Sequence, residues 1–139
     1  MKVYVSAPWA DRQAVFPVVD HLEKAGYVVT SKWHLQEDID DEQYLEENAE
    51  SDLEELLEAD VLLVLNTRLS EGKAFEAGYF YNSDSPIIVV GARSKENIFY
   101  YCPKIAVVPT LEDALDRLAN LSVNHDASAE WLDDEAAGG

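Results

Sequence analysis

The amino-acid sequence predicts an α/β protein, a three-layer sandwich in which helices cover both faces of a five-stranded parallel sheet. Short β-rich runs alternate along the chain with stretches whose apolar residues recur at helical spacing. The run Val61–Leu65 contains no polar residue, which is typical of a strand buried on both faces of a parallel sheet. The 139 residues suit one domain, and a chain that is 47% hydrophobic is too apolar for disorder.

The first half of the chain supplies two strands and one or more helices. Residues 3–6 form a short β-rich run that ends before a proline, which cannot donate to a strand ladder. Residues 13–24 carry apolar side chains at helical spacing, and Gly26 follows where a helix C-cap belongs. The β-branched run over residues 27–30 predicts a second strand. The acidic residues 37–58 keep an apolar stripe and predict one or two helices.

The second half continues the alternation after the central strand, Val61–Leu65. The sequence predicts a helix over 72–81, a strand over 86–90, a short helix over 94–101, a strand over 105–108 and a helix over 110–121. We expect residues 1–121 to form the domain and residues 122–139 to form an acidic, flexible tail. The pattern is typical of flavodoxin-like folds, in which ligands bind at the carboxyl ends of the strands.

The charge of the chain excludes several kinds of partner. Its 28 acidic and 10 basic residues give a formal net charge of −18. A surface this acidic repels phosphate backbones and anionic lipids, so neither a nucleic-acid polymer nor a membrane is an expected partner. No run approaches the roughly 20 apolar residues of a membrane span, and the first apolar run is too short for a signal peptide. We therefore expect a cytoplasmic protein.

Common cofactor and metal motifs do not fit the sequence. Gly72 precedes Lys73 as in a P-loop, but Thr67 stands where that motif requires its leading glycine. An acidic run resembles the start of a calcium loop, yet Gln43 occupies the position of the required glycine. The three histidines are scattered, and Cys102 is the single cysteine. We expect neither a metal nor an organic cofactor.

Polar and aromatic residues near the predicted strand ends form a candidate site. Glu76 is predicted to lie in the first turn of a helix, where the macrodipole favours its ionised form, and its sequence neighbours are apolar. Cleavage of a glycosidic bond with retention needs one carboxylate that attacks and one carboxyl group that donates a proton. Asp52 is the candidate for the second group, and Tyr4 lies on the first strand. Trp9 and Trp33 are candidate stacking surfaces for a base.

Three stretches of the chain resemble the nucleoside 2-deoxyribosyltransferase family. They are residues 4–13, residues 51–53 with residues 59–60, and residues 72–78, which occur in the family's order and at close to its spacing. The resemblance covers most of residues 3–118. It implies a double displacement at the anomeric carbon of a deoxyribosyl N-glycoside, without a cofactor.

The resemblance also implies a role for individual residues. Glu76 matches the family's nucleophile, Asp52 matches the acid that protonates the departing base, and Tyr4 matches the tyrosine that holds the nucleophile. Asn97 matches a residue that a neighbouring subunit contributes, which implies a homodimer or a larger homo-oligomer. The predicted substrate-binding residues are Ser6, Trp9, Trp33, Ser70, Gly72 and Asn97.

Ser70 departs from the transferase pattern, which has an acid six residues before the nucleophile. A serine at this position resembles the related 2′-deoxynucleoside 5′-monophosphate N-glycosidases, which hold phosphate with serines. The glycine-rich phosphate loop of those hydrolases is replaced here by residues 7–10. The net charge favours a neutral nucleoside unless Arg12, Lys73 or Arg93 compensates locally. Transfer and hydrolysis, and nucleoside and nucleotide, therefore stay open.

Two further classes of function are compatible with the sequence. A catalytically inert nucleotide-binding module on the same fold is suggested by the divergent loop over residues 66–71, and an acidic DNA mimic is suggested by the charge alone. The resemblance favours the enzyme. Its expected partners are a nucleoside or nucleoside monophosphate, a free nucleobase and a second copy of the chain.

Overall fold

The structure is a computed structural model that describes the backbone of residues 1–138 and the side chains of residues 1–125. Its five strands form one parallel sheet in the order β2-β1-β3-β4-β5. They are β1 (Lys2–Ser6), β2 (Val28–Val29), β3 (Val61–Leu65), β4 (Ile87–Val90) and β5 (Ile105–Val108). This sheet confirms the predicted α/β class.

Four α-helices of the described backbone connect or follow the strands. They are α1 (Arg12–Lys24), α2 (Glu42–Glu58), α3 (Glu71–Tyr81) and α4 (Leu111–Gly138), and 3₁₀ turns occur at Trp9–Asp11, Trp33–Leu35 and Lys95–Tyr101. Crossovers between parallel strands are right-handed, which places α1 on one face of the sheet and α2 and α3 on the other. Helices α2 and α3 contact each other. None of the described helices is both long enough and apolar enough to cross a membrane.

Several element boundaries differ from the predicted ones. Only Val28–Val29 pairs with β1, so this edge strand is shorter than predicted. The acidic region forms one helix, which starts at Glu42 because the Asp41 side chain accepts a hydrogen bond from the Tyr44 amide at 3.0 Å. The predicted helix over 94–101 is a 3₁₀ turn, because Asn97 has the non-helical angles φ −134° and ψ 83°.

The last helix begins where the sequence predicts and continues past the predicted end. The Thr110 hydroxyl accepts a hydrogen bond from the Asp113 amide at 3.2 Å, as expected of an N-cap. Helix α4 then runs to Gly138. The predicted flexible tail lies largely outside the residues whose side chains the structure describes.

The two central strands are buried and place the functional residues. Residues 3–6 of β1 are fully buried, and residues 61–64 of β3 are at most 1% exposed. The chain leaves β1 for one side of the sheet and leaves β3 for the other, so a crevice forms where their carboxyl ends diverge. Tyr4 and Ser6 lie on β1, and Glu76 lies on the helix that follows β3. These three residues therefore meet at the crevice.

Two glycines have the positive φ angles that their positions require. Gly26 has φ +95° just after α1, and the Tyr27 amide donates to the Leu22 carbonyl oxygen at 3.1 Å, which confirms the predicted helix cap. Gly91 has φ +132°, and a Cβ atom there would lie 2.7 Å from the Asn66 carbonyl oxygen. The loops that follow β3 and β4 are therefore in close contact.

Candidate active site

A cavity of about 450 Å³ opens at the carboxyl ends of β1 and β3. Its volume is that of a typical small-molecule site. Helices α2 and α3 supply one acidic side chain each, Asp52 and Glu76, and two tryptophans add apolar surface. The cavity is lined by Ala7, Trp9, Trp33, Gln36, Ala49, Asp52, Leu53, Ser70, Gly72, Lys73, Phe75 and Glu76.

The Glu76 carboxylate is held by two hydroxyl groups from β1. The Tyr4 hydroxyl donates a hydrogen bond to Oε2, and the Ser6 hydroxyl donates one to Oε1 at 2.9 Å. Tyr4 and Ser6 project from the same face of the strand because side chains alternate with a period of two. Helix α3 begins at Glu71, so Glu76 lies in its second turn and not in the first turn that the sequence predicts. The two hydroxyl groups, more than the helix dipole, therefore fix this carboxylate.

Burial sets the protonation of Glu76. Loss of solvent raises the pKa of this carboxyl group to about 7, the donors Tyr4 and Ser6 oppose the rise, and the charges of Asp52 and Glu55 add to it. Burial and the neighbouring Glu76 charge raise the pKa of the Tyr4 hydroxyl far above its usual range. Tyr4 therefore keeps its proton near neutral pH and acts as a hydrogen-bond donor.

Asp52 is the second carboxyl group of the cavity. Burial raises its pKa to about 6, Glu55 adds to the rise, and a hydrogen bond from Gln36 opposes it. The Gln36 side-chain amide donates to Asp52 Oδ1 at 2.8 Å. Sequence reasoning did not identify Gln36, because it follows an irregular turn with no recognisable spacing. A carboxyl group with this pKa is able to donate a proton near neutral pH.

The two carboxyl groups titrate as a pair. The charge of Asp52 raises the pKa of Glu76, so a proton on Asp52 removes that charge and favours the ionised form of Glu76. Between about pH 6 and pH 7 the pair therefore shares one proton. When Asp52 holds it, the cavity contains one acid and one anionic nucleophile, the two protonation states that glycoside cleavage with retention needs.

The two tryptophans differ in their availability to a ligand. Trp33 is 5% exposed, and its indole Nε1 donates to the Val5 carbonyl oxygen at 2.7 Å. Trp9 is 39% exposed, and its ring centre lies 6.2 Å from that of Trp33. The Arg12 guanidinium lies 4.5 Å from the Trp9 ring centre. Trp9 is therefore the accessible stacking surface, and Trp33 forms a fixed wall.

The start of α3 closes another side of the cavity. The Ser70 hydroxyl caps this helix by accepting a hydrogen bond from the Lys73 amide at 3.3 Å. Lys73 is only 2% exposed, and its ammonium group donates to the Asn66 side-chain oxygen and to the Arg68 carbonyl oxygen. Burial lowers the pKa of Lys73. A buried lysine was not expected, because lysine is rarely buried.

Three predicted site residues do not line this cavity: Tyr4 and Ser6, which contact it through their hydrogen bonds to Glu76, and Asn97. Asn97 lines an adjoining cavity of about 430 Å³, which shares Ser70 and Lys73 with the first. Its side-chain oxygen accepts a hydrogen bond from the Phe99 amide at 3.3 Å. The other predicted residues meet around Glu76, and they are Tyr4, Ser6, Trp9, Trp33, Asp52, Ser70 and Gly72.

Tyr100 is a further polar group near the site that the sequence did not single out. It is 2% exposed, and its hydroxyl group has no hydrogen-bond partner among the described residues. Burial, with a contribution from the charge of Glu76, raises the pKa of Tyr100 to about 12.

Within residues 1–125, no group of three or more His, Cys, Asp or Glu side chains is arranged to hold a metal ion.

Comparison with known proteins finds a relative in sequence and several similar structures. A curated protein of Thermofilum pendens named "Putative 2′-deoxynucleoside 5′-phosphate N-hydrolase 1" is 38% identical over 102 residues, which are 68% of this chain and 71% of that protein. No family profile matches the chain.

Two solved structures carry the same fold. A 2-deoxyribosyltransferase of Bacillus psychrosaccharolyticus superposes with a TM-score of 0.67 at 17% identity, over 82% of this chain and 90% of that chain. The Clostridium botulinum CMP N-glycosidase BcmB superposes with a TM-score of 0.59 at 15% identity, over 86% of this chain and 98% of that chain. At these identities the likeness shows the fold alone.

Proposed function

Because the chain belongs to the superfamily of 2′-deoxynucleoside 5′-phosphate N-hydrolases and nucleoside 2-deoxyribosyltransferases, we propose that it cleaves the N-glycosidic bond of 2′-deoxynucleosides through a glycosyl-enzyme on Glu76. It is an enzyme that transfers or hydrolyses N-glycosyl groups. The observation that carries the mechanism is the Glu76 carboxylate, held by Tyr4 and Ser6 in one cavity with the protonatable Asp52.

The first step forms the glycosyl-enzyme. A Glu76 carboxylate oxygen attacks the anomeric carbon, the bond from that carbon to the base nitrogen breaks, and Asp52 gives its proton to the departing base. The transition state resembles an oxocarbenium ion, which the neighbouring negative charge stabilises. Hydrogen bonds from Tyr4 and Ser6 orient the carboxylate for the attack and lower its pKa.

The second step releases the sugar to an acceptor. Asp52, now ionised, takes a proton from the incoming acceptor, the acceptor attacks the anomeric carbon, and the ester bond to Glu76 breaks. A free base as acceptor makes the enzyme a 2-deoxyribosyltransferase. The exposed ring of Trp9 and the Gln36 amide beside Asp52 supply surfaces that would hold such a base after cleavage.

Water as acceptor makes the enzyme a hydrolase, which is the second candidate function. Two observations favour it. The curated relative from Thermofilum pendens bears the name of an N-hydrolase. Ser70, and not an acid, lies beside Glu76 in the cavity, and an uncharged residue there would tolerate a phosphate that an acid would repel.

We also propose that the active unit is a homodimer or a larger homo-oligomer in which Asn97 completes the neighbouring site. Asn97 lies outside its own Glu76 cavity, as such an exchange requires. Several exposed apolar side chains lie around it, as expected of an interface. The exposed apolar side chains near these cavities are Leu69, Phe75, Tyr79, Ile98 and Phe99.

Mixing two defective variants tests the exchange of Asn97. Glu76→Gln subunits retain Asn97, and Asn97→Ala subunits retain Glu76. After dissociation and reassembly at equal amounts, a dimer regains about a quarter of the wild-type sites. Recovery of activity supports the exchange. Two inactive variants that stay inactive when mixed, although they reassemble, contradict it.

A substrate panel tests the proposed reaction. The purified protein is incubated with the common deoxynucleosides, ribonucleosides and their 5′-monophosphates, each with and without a second free base, and products are separated by chromatography. Exchange of bases indicates transfer, and release of base alone indicates hydrolysis. Glu76→Ala abolishes both. Ligand binding without cleavage of any substrate identifies an inert binding module, and full cleavage by Glu76→Ala rules out the assigned nucleophile.

A further inference from the structure

Glu55 is a third acidic side chain near the cavity, and the proposed chemistry does not use it. It follows Asp52 by three residues on α2, and side chains at this spacing are neighbours on one face of a helix. Glu55 is half-buried, whereas Glu54 and Glu58 on the same helix are exposed. Glu55 therefore lies on the side of α2 that carries Asp52 and not on its solvated side.

The Glu55 carboxylate holds the turn that forms one wall of the cavity. Its Oε2 accepts a hydrogen bond from the Lys32 backbone amide at 3.1 Å. The residues on either side of Lys32 bind β1 instead. The Ser31 hydroxyl accepts a hydrogen bond from the Val5 amide at 3.0 Å, and the Trp33 indole donates to the Val5 carbonyl oxygen at 2.7 Å. The turn that carries Trp33 is therefore held by β1 on one side and by Glu55 on the other.

The charge of Glu55 also acts on both carboxyl groups of the cavity. Burial is the largest cause of the raised pKa of Asp52 and of Glu76, and the charge of Glu55 adds to the rise in each. Within residues 1–125, none of these three carboxyl groups forms an ion pair. Neighbouring like charges oppose the ionisation of one another, so Glu55 opposes the loss of the proton that Asp52 and Glu76 share.

The groups around Glu55 favour the ionised form that supplies this charge. Burial raises the pKa of Glu55, while the hydrogen bond from the Lys32 amide and the charge of the Lys32 ammonium group oppose the rise. The other titratable groups that act on Glu55 or on the carboxyl pair come from β1, α2, α3 and the 3₁₀ turn before β5. They are Tyr4, Asp52, Glu54, Glu58, Glu76 and Tyr100.

We propose that Glu55 is a positioning residue of the active site: it fixes the turn that bears Trp33 and Gln36, and its charge retains the shared proton of the carboxyl pair. This inference rests on the proposed function, because that reaction needs one proton on the pair. Glu55 acts through these residues and is not itself a catalytic group. Its two actions are separable, because glutamine keeps an oxygen acceptor without the charge, whereas alanine lacks both.

An NMR titration of the carboxyl carbons tests the charge of Glu55 without any substrate. Glu55→Gln is expected to lower the pKa of both Asp52 and Glu76 by about 0.3 to 1 unit, as for the loss of a like charge at the edge of a partly buried cluster. The alkaline limb of the kcat/KM profile moves down by the same amount. Glu58→Gln is the matched control, because it removes an exposed acid one turn further along α2. It leaves both pKa values and the profile unchanged.

Hydrogen exchange of the Lys32 amide tests the hold on the turn. Glu55→Gln keeps the exchange near the wild-type rate, whereas Glu55→Ala removes the acceptor and speeds the exchange by about 2- to 10-fold. Unchanged pKa values in Glu55→Gln, or equal exchange in the two variants, overturn the inference. If Glu55→Ala does not fold, the titration of Glu55→Gln decides alone. If the wild type cleaves no substrate, the proposed function fails, while the titration and the exchange rates still decide the role of Glu55.

Discussion

Tyr4→Phe tests how the cavity distributes its shared proton. The change removes the hydroxyl group that donates to Glu76 Oε2 and leaves the ring in a fully buried position. A hydrogen bond to a charged group contributes about 1.5 to 3 kcal/mol, and one pKa unit corresponds to about 1.36 kcal/mol. The pKa of Glu76 is therefore expected to rise from about 7 by about one to two units.

The pKa of Glu76 already lies above that of Asp52, so the further rise strengthens the preference of the shared proton for Glu76 and depletes the reactive form, in which Asp52 holds it. At pH values from 6 to 7 we expect kcat/KM of Tyr4→Phe to be about 10- to 100-fold below that of the wild type, because Glu76, the nucleophile, holds the proton in place of Asp52. The alkaline limb of the pH profile moves up by the same one to two units. Above that limb both carboxyl groups of either protein are ionised, so the rates of the two proteins converge.

A pH profile of base release, followed by ultraviolet absorbance, measures this effect. Tyr27→Phe is the matched control, since Tyr27 lies at the amino end of β2, away from the cavity, and has a partly buried ring. Its profile should match that of the wild type. If Tyr4→Phe lowers kcat/KM by the same factor at every pH, the hydroxyl group acts only by orienting the Glu76 carboxylate. A variant without loss would refute the assigned role of Tyr4.

Three further predictions concern Asp52, Glu76 and the loop contact at Gly91. Gln36→Leu removes the hydrogen bond that lowers the pKa of Asp52, so an NMR titration of the Asp52 carboxyl carbon should give a pKa above about 6. An unchanged pKa would contradict the assigned contact. Because the folded-state pKa of Glu76 lies above its ordinary value of 4.5, at about 7, wild-type stability falls as pH rises through this window. Glu76→Gln has no carboxyl group to ionise, so relative to the wild type its free energy of unfolding in urea should be higher by up to about 3 kcal/mol at pH 8 and unchanged at pH 4. An equal gain at both pH values would contradict a buried carboxylate. Gly91→Ala should lower the free energy of unfolding by about 1 to 3 kcal/mol, because its Cβ would meet the Asn66 carbonyl oxygen at 2.7 Å. The control Gly78→Ala lies in open helical surroundings and should not lower it. Equal urea unfolding midpoints for the two variants would exclude the clash.

The fold was largely predictable because it follows from local pattern. The wholly apolar sequence of β3 and the helical spacing of apolar residues in α1 each reflect a buried face, and similar hydrophobic patterns mark the other strands and helices along the chain. The boundaries were less predictable. Helix α3 starts one residue earlier than predicted because Ser70 caps it, and residues 95–101 form a 3₁₀ turn because Asn97 leaves the helical region.

The candidate site was predictable where strand order alone brings residues together. Tyr4 on β1 and Glu76 after β3 meet because these strands are neighbours in the sheet. Gln36 and the buried state of Lys73 were not predictable. The contact of Gln36 with Asp52 depends on how an irregular turn packs against α2, and the burial of Lys73 depends on acceptors in the loop after β3. Neither arrangement has a sequence spacing of its own.

The glycosyl-enzyme on Glu76 is the central claim, and trapping it is the most direct test. A 2′-fluorinated arabinosyl nucleoside carries an electron-withdrawing substituent that slows both steps at an oxocarbenium-like transition state, so the intermediate accumulates when the departing base is a good leaving group. Intact-protein mass spectrometry followed by peptide mapping should find one fluoropentosyl group esterified to Glu76, and none on the Glu76→Gln variant. Base release from this analogue without any adduct, or an adduct on Asp52, would contradict the claim.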